Sequence, residues 1–142
     1  MPALVDTNIF VYRYDHRDVE KQRRATEVLR AGVENGSHFL AHQSLIEFVA
    51  ATTRPLPQAA PLLTLAEATR EVEEMMLTHE VLYPDGDVVR LALRGAATYG
   101  LPWLDAHIWA YAEHHGLGTL LSEDFQAGRS YGTVTVANPF LS

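Results

Sequence analysis

Four acidic side chains lie where a predicted secondary-structure element ends or begins, and together they could hold a metal ion. They are Asp6, Glu47, Asp105 and Asp124. Asp6 and Asp124 follow short apolar runs of strand length, whereas Glu47 and Asp105 lie in the first turns of predicted helices. Open parallel sheets place their sites beyond the carboxyl ends of the strands, so these side chains are expected to converge. Carboxylates that converge repel one another unless protons or a cation neutralise them.

The type of donor indicates which cation would fit such a site. Carboxylate oxygens are the ligands that Mg²⁺ and Mn²⁺ favour. The chain has no cysteine, which excludes thiolate sites, and its seven histidines form no H-E-x-x-H motif. The sequence therefore predicts a carboxylate-bound Mg²⁺ or Mn²⁺.

Each acid also has a purely structural interpretation, and that interpretation is favoured when the acid is considered alone. Ser44 and Glu47 match the S-x-x-E capping box, in which the Glu accepts from the N-cap amide. Thr64 and Glu67 show the same pattern, and there a cap is the only interpretation offered. Asp105 in a first helical turn is favoured by the helix dipole. The remaining two acids could simply end a strand and cap a turn, so only the group as a whole points to a metal.

The elements that would position these acids alternate along the chain. Apolar runs predict strands over residues 2–6, 37–42, 80–84, 117–124 and 131–139. Helical spacing and capping residues predict helices over residues 18–36, 44–54, 64–79, 86–100 and 101–116. Strands separated by helices are typical of parallel sheets covered on both faces. We therefore expect one domain over residues 1–142, a three-layer α/β/α sandwich around a mostly parallel sheet of about five strands.

Charge and hydropathy limit the classes of function. The chain of 142 residues carries a formal charge of −7, which argues against a protein that coats nucleic acid. Six of its eleven basic residues lie between Arg13 and Arg30, either as a solvated helix face or as a rim that steers phosphates. No signal peptide or apolar span of membrane length is recognisable. A cytoplasmic protein without a membrane partner is expected.

The order of the acidic motifs matches a known family. With Asp6 in VDTN, Glu47 in SLIEF, Asp105 in WLDAHI and Asp124 in LLSEDF, the chain resembles the PIN-domain ribonucleases. More narrowly, it is similar to the VapC-type toxins of bacterial and archaeal toxin–antitoxin pairs. The resemblance implies cleavage of RNA that depends on Mg²⁺ or Mn²⁺, with these four acids as the metal ligands.

The resemblance also assigns supporting positions and partners. Thr7 and Asn8 fall on small polar positions that support the first acid, and Ser122 falls on a hydroxyl-bearing position before the last. The family pattern selects Asp124 as the fourth acid, and Glu123 remains an alternative. Relatives of this kind form homodimers and are blocked by a small antitoxin, so both partners are expected here.

Apolar helix faces are the candidate surfaces for those partners. One is the helix around Leu45, Phe48 and Val49, and the other covers residues 62–76. Apolar residues at helical spacing more often form a core, and that interpretation is favoured for both. The aromatic residues Trp103, Trp109 and Tyr111 are also expected to be buried, although one of them could stack on a base.

Two other functions compete with that of a nuclease. Phosphoryl-transfer proteins also place an Asp after a first strand, but they need a lysine late in the chain, and the only lysine is Lys21. The remaining alternative is a non-catalytic PIN-like module that binds RNA or protein. Loss of one acid would favour that alternative, and all four are present.

Overall fold

The structure is a computed structural model that describes residues 2–141, so Met1 and Ser142, the ends of the predicted domain, lie outside the described residues. Within that range the strands are β1 (Ala3–Val5), β2 (His38–Ala41), β3 (Glu80–Leu82), β4 (Thr119–Leu121), β5 (Ser130–Tyr131) and β6 (Val134–Ala137). They form one sheet in the order β3-β2-β1-β4-β6-β5, in which only β5 is antiparallel to its neighbour. The strand order reverses at β1, which places β1 and β4 side by side.

Helices cover both faces of this sheet. They are α1 (Thr7–Tyr12), α2 (Val19–Asn35), α3 (His42–Thr53), α4 (Leu65–Thr78), α5 (Gly86–Tyr99) and α6 (Trp103–His114). Successive strand residues face opposite sides. Leu4 accordingly belongs to a buried cluster with α5 and α6, and Val5 to one with α1, α2, α3 and α4. The predicted three-layer sandwich with a mostly parallel sheet is confirmed, with six strands in the described residues.

Two local elements differ from the prediction. The predicted elements do not include α1, which starts directly after Asp6. The predicted strand over residues 131–139 is part of a hairpin, in which β5 and β6 pair across Gly132 and Thr133. Gly132 adopts a φ of +61°, a conformation that glycine accepts without a steric cost. The alternation of apolar residues does not reveal that turn.

The capping-box interpretation of Ser44 and Glu47 is wrong. Helix α3 begins at His42, and its N-cap Ala41 has no side chain that could bond to the helix. Ser44 therefore lies inside the helix, where its hydroxyl is fully buried. By contrast, the predicted box at the start of α4 forms, with both of its reciprocal hydrogen bonds present.

The aromatic residues of α6 divide between core and surface. Trp109 and Tyr111 are buried as predicted, and the Trp109 indole Nε1 donates to the Tyr131 carbonyl over 2.8 Å. The prediction for Trp103 is wrong, because 47% of this residue is exposed. It is the first residue of α6, and its ring packs edge-on against His107 one turn later.

The apolar residues proposed as partner surfaces are mostly part of the core. Leu45 and Phe48 are buried and Val49 is half-buried. In α4, Met75 is buried and Met76 remains 46% exposed. The core interpretation is therefore confirmed for Leu45, Phe48 and Met75. No helix within residues 2–141 has both the length and the apolar character needed to cross a membrane.

The packing of α5 on α6 depends on Gly95. A Cβ added at this position would overlap the ring carbons of Trp109. Overpacking of this kind costs about 1–3 kcal/mol, which exceeds the gain of up to about 1 kcal/mol in helix propensity. We expect Gly95→Ala to lower the free energy of unfolding measured in urea. Gly86→Ala in the same helix is the control, since its Cβ meets only the flexible end of Arg90. A Gly95→Ala variant as stable as that control would contradict the expectation.

Candidate metal centre

Asp6 both ends a strand and caps a helix. It follows β1, and its Oδ1 accepts from the Thr7 amide over 2.7 Å, which makes it the N-cap of α1. Its Oδ2 accepts from the Ser122 hydroxyl over 2.7 Å. The residue is only 4% exposed. A rigid strand end and a helix start therefore fix this carboxyl group in the protein interior.

Asn8 and Ser122 join the segments that follow β1 and β4. The Asn8 amide nitrogen donates to Asp124 Oδ2 over 2.9 Å and lies 3.4 Å from Asp6 Oδ2. The Ser122 hydroxyl in turn accepts from the Asp124 amide over 3.0 Å. Because β1 and β4 are hydrogen-bonded neighbours, these contacts bring the first and last acids together.

Glu47 is held by α1 and by its own helix. The Thr7 hydroxyl donates to Glu47 Oε1 over 2.7 Å, and Gln43 Nε2 donates to Glu47 Oε2 over 3.0 Å. Gln43 also donates to the Leu104 carbonyl over 3.0 Å, which ties α3 to the residue before Asp105. Sequence reasoning missed Gln43, although its spacing of four residues from Glu47 on one helix is a usable signal.

The four acids influence one another electrostatically. Burial raises the pKa of Asp6 to about 7, and the charges of Asp124 and Asp105 act in the same direction against two hydrogen bonds that lower it. Burial also raises the pKa of Asp105, followed by the charges of Asp124 and Glu47. The structure thus brings together all four acids proposed from the sequence.

The donor set fits a divalent cation. Among residues 2–141 no ion pair involves any of the four acids. The Asn8 Oδ1 atom is buried and finds no hydrogen-bond partner within the same range. Its amide orientation follows from the nitrogen, which faces carboxylate oxygens. Carboxylates without a counter-charge, next to an unpaired oxygen, are of the donor type that a hard cation binds.

Comparison with known proteins agrees with this architecture. The sequence model of the family described as PIN domain matches residues 3–129. The chain belongs to the PIN-domain family. No curated protein sequence is significantly similar to this PIN domain.

Solved structures share the fold of this PIN domain at low sequence identity. A toxin–antitoxin complex from Klebsiella pneumoniae superimposes with a TM-score of 0.68 at 18% identity, covering 96% of this chain and 97% of the other. VapBC2 from Rickettsia felis, bound to a promoter DNA fragment, superimposes with a TM-score of 0.69 at 12% identity, covering 97% of this chain and 98% of the other. VapC20 of Mycobacterium tuberculosis, a sarcin–ricin loop cleaving toxin, superimposes with a TM-score of 0.65 at 14% identity, covering 86% of this chain and 91% of the other.

Glu123 of this PIN domain is engaged outside the acidic cluster. Its Oε1 accepts from the Tyr12 hydroxyl over 2.6 Å, and its Oε2 accepts from Lys21 Nζ over 2.8 Å. Asp124, by contrast, contacts Asn8 inside the cluster. The geometry therefore favours Asp124 as the fourth acid of the centre.

The basic stretch near the start of the chain is largely paired along α2. Arg23 forms ion pairs with Glu20 and Glu27, as a solvated helix face would. Lys21 is paired with Glu123, as described above. Arg17 differs, because it lies before α2 and lines a cleft beside the acids.

A second group of possible metal ligands lies elsewhere on this PIN domain. The ligand atoms of Asp85, Asp87 and His114 are within 4.8 Å of one another, and all three residues are exposed. Asp85 already caps α5 through the Val88 amide, and Asp87 is paired with Arg90. His114 follows Asp105 by nine residues on α6, or about 13 Å along the helix axis. This group is therefore separate from the four acids of the cluster.

Proposed function

We propose that this PIN domain is an endoribonuclease that hydrolyses RNA phosphodiester bonds with Mg²⁺ or Mn²⁺. The observation that carries the proposal is the cluster of Asp6, Glu47, Asp105 and Asp124, which has no counter-charge in the described chain. Family membership and the fold shared with an RNA-cleaving toxin support the same activity. These four acids are proposed as the metal ligands.

The chain's own residues orient those ligands. The bound cation would supply Lewis-acid activation of water and stabilisation of charge on phosphate oxygens. Thr7 and Gln43 each donate to one oxygen of Glu47 and leave its other lone pairs available. Ser122 fixes Asp6, and Asn8 holds Asp124 beside it. Such supporting hydrogen bonds set the direction in which a ligand presents its lone pairs.

We further propose that the protein is the toxin of a toxin–antitoxin pair and forms a homodimer. Two of the structural neighbours are themselves toxin–antitoxin complexes. Ile46 and Leu104 are 61% and 58% exposed at the starts of α3 and α6, and they are candidates for such contacts. Light scattering on the purified protein tests the homodimer, and copurification with a small protein expressed from the same operon tests the antitoxin. A monomer, or an operon without a binding protein, would contradict these two assignments.

Metal removal is the direct test of the nuclease. Purified protein is expected to fragment total RNA with Mg²⁺ or Mn²⁺, to lose that activity in EDTA and to regain it when Mn²⁺ is added in excess. The reason is that the carboxylates alone provide no Lewis acid that could activate water or stabilise charge on the phosphate oxygens. Fragment yield is measured on denaturing gels. Cleavage that persists in EDTA would contradict the proposal, whereas RNA binding without cleavage would favour the non-catalytic module.

A further inference from the structure

A cleft of about 450 Å³ opens beside the proposed metal centre. Its lining includes Glu47 and Asp124 of the acidic cluster, together with the cations Arg17 and Arg54. We propose that this cleft binds the RNA strand next to the cleaved phosphate, with Arg54 and Arg17 as the phosphate contacts and Lys21 as a positioning residue. The proposal rests on the proposed function, since it assigns the substrate path of the same site.

The acids of the cleft that lie outside the metal centre are each neutralised. Asp15 is buried, and its two oxygens accept from Arg17 Nε and Nη2, each over 2.8 Å. This fork fixes the guanidinium of Arg17, which remains half exposed to the cleft. A guanidinium held by two parallel bonds is pre-oriented, so less conformational entropy is lost when its remaining donors meet a phosphate.

Lys21 neutralises Glu123, the other of these acids, from outside the cleft. Its Nζ lies 2.8 Å from Glu123 Oε2 and 4.8 Å from the centre of the Tyr12 ring, which packs edge-on against Phe140. Glu123 lines the cleft, whereas Lys21 is not among the residues that line it. The lysine therefore acts through Glu123, which without it would present an unpaired carboxylate beside Asp124.

Arg54 is the remaining cation of the cleft. It is the exposed C-cap of α3, and no ion pair or side-chain hydrogen bond engages it within the described residues. With both acid–base pairs neutral, Arg54 is the cation of the described cleft lining that no acid balances, and a divalent cation at the metal centre would offset part of the charge of its ligands. The apolar residues Val11, Ala50 and Ala51 complete the lining and offer a surface for a base or sugar. Cations that can contact phosphates, beside an apolar surface on which a base can lie, match the chemistry of single-stranded RNA.

Binding is measured separately from cleavage, by fluorescence anisotropy with a short labelled single-stranded RNA of mixed sequence. All variants carry Asp6→Asn, so the RNA stays intact. Arg54→Gln is expected to raise Kd about tenfold, and to lower the slope of log K against log salt by about 0.7. Arg90→Gln is the matched control, since it removes the same charge from an exposed arginine on α5. Equal Kd values for these two variants would overturn the proposal.

The positioning role of Lys21 has its own signature. Lys21→Met is expected to raise Kd several-fold, and the second change Glu123→Gln is expected to restore it, because the unpaired charge is then gone. With Asp6 intact, Lys21→Met should raise KM and leave kcat at saturating RNA unchanged, and adding Glu123→Gln should return KM to the wild-type value. Thermal melts confirm that each variant is folded. A double variant that binds as weakly as Lys21→Met would overturn this role.

The binding and cleavage measurements distinguish the cleft proposal from the proposed nuclease activity. RNA binding that depends on Arg54 in a protein that cleaves nothing would refute the nuclease and leave the cleft assignment standing.

Discussion

Asp6→Asn is expected to lower the rate of RNA cleavage roughly 1000-fold or more, because the proposed cation would supply several kcal/mol of transition-state stabilisation and Asp6 is one of its proposed ligands. Asparagine is as good an N-cap as aspartate and can still accept from the Thr7 amide. The substitution therefore removes a charge and leaves the start of α1 intact. Initial rates on total RNA with Mn²⁺ in excess provide the measurement.

Asp87→Asn is the matched control for this loss. Asp87 is an exposed acid in the first turn of α5 and belongs to the second group of possible metal ligands. Its replacement is expected to leave cleavage unchanged. If Asp87→Asn abolished cleavage and Asp6→Asn did not, the metal would have to be placed at Asp85, Asp87 and His114 instead.

The substitution Asp6→Asn is also expected to stabilise the metal-free protein. Burial raises the pKa of Asp6 from 3.8 to about 7, so the folded state holds this proton more tightly than the unfolded chain does. Its contribution to stability is then lost as the pH rises from about 4 to about 7, and it stays lost above that range. The asparagine side chain does not titrate, so the advantage of Asp6→Asn should grow over this window. It should reach a few kcal/mol at pH 8, since one pKa unit is worth about 1.4 kcal/mol.

Adding metal should reverse that order. A cation that binds the folded wild type stabilises it by RT ln(1 + [L]/Kd), and Asp6→Asn should gain much less. Thermal melts in EDTA and in Mn²⁺, each at pH 5 and at pH 8, give four melting temperatures for each of the two proteins. An Asp6→Asn variant less stable than wild type in EDTA at pH 8, or one that gains as much from Mn²⁺, would contradict the assignment of Asp6 to the metal.

Local sequence signals predicted the parts of this centre that depend on one element. Asp6 and Asp124 follow apolar runs that do form β1 and β4, and Asp105 lies in the first turn of α6. Parallel strands run in the same direction, so their last residues all lie at the same edge of the sheet. This is why the convergence of the acids, and the layered fold, followed from the order of elements alone.

Contacts between distant elements did not follow in the same way. The Thr7 hydroxyl meets Glu47 forty residues away only because α1 packs on α3, and α1 was not among the predicted elements. The S-x-x-E pattern at Ser44 indicated a cap because nothing local shows that α3 begins at His42, directly after β2. The pairing of Lys21 with Glu123 likewise joins residues 102 positions apart. Side-chain partners of this kind are fixed by packing, which a single sequence does not specify.

The spacing of the four acids along the chain determines when during translation the centre can first exist. The last of them is residue 124 of 142, and β4, which precedes it, lies between β1 and β6 in the sheet. Domains generally form as the chain emerges from the ribosome, N-terminal part first. A growing chain that ends after α6 therefore has three strands of the sheet and three of the acids, without Ser122 and Asp124. The four proposed ligands can therefore come together only after β4, Ser122 and Asp124 have been synthesised and β4 has paired with β1.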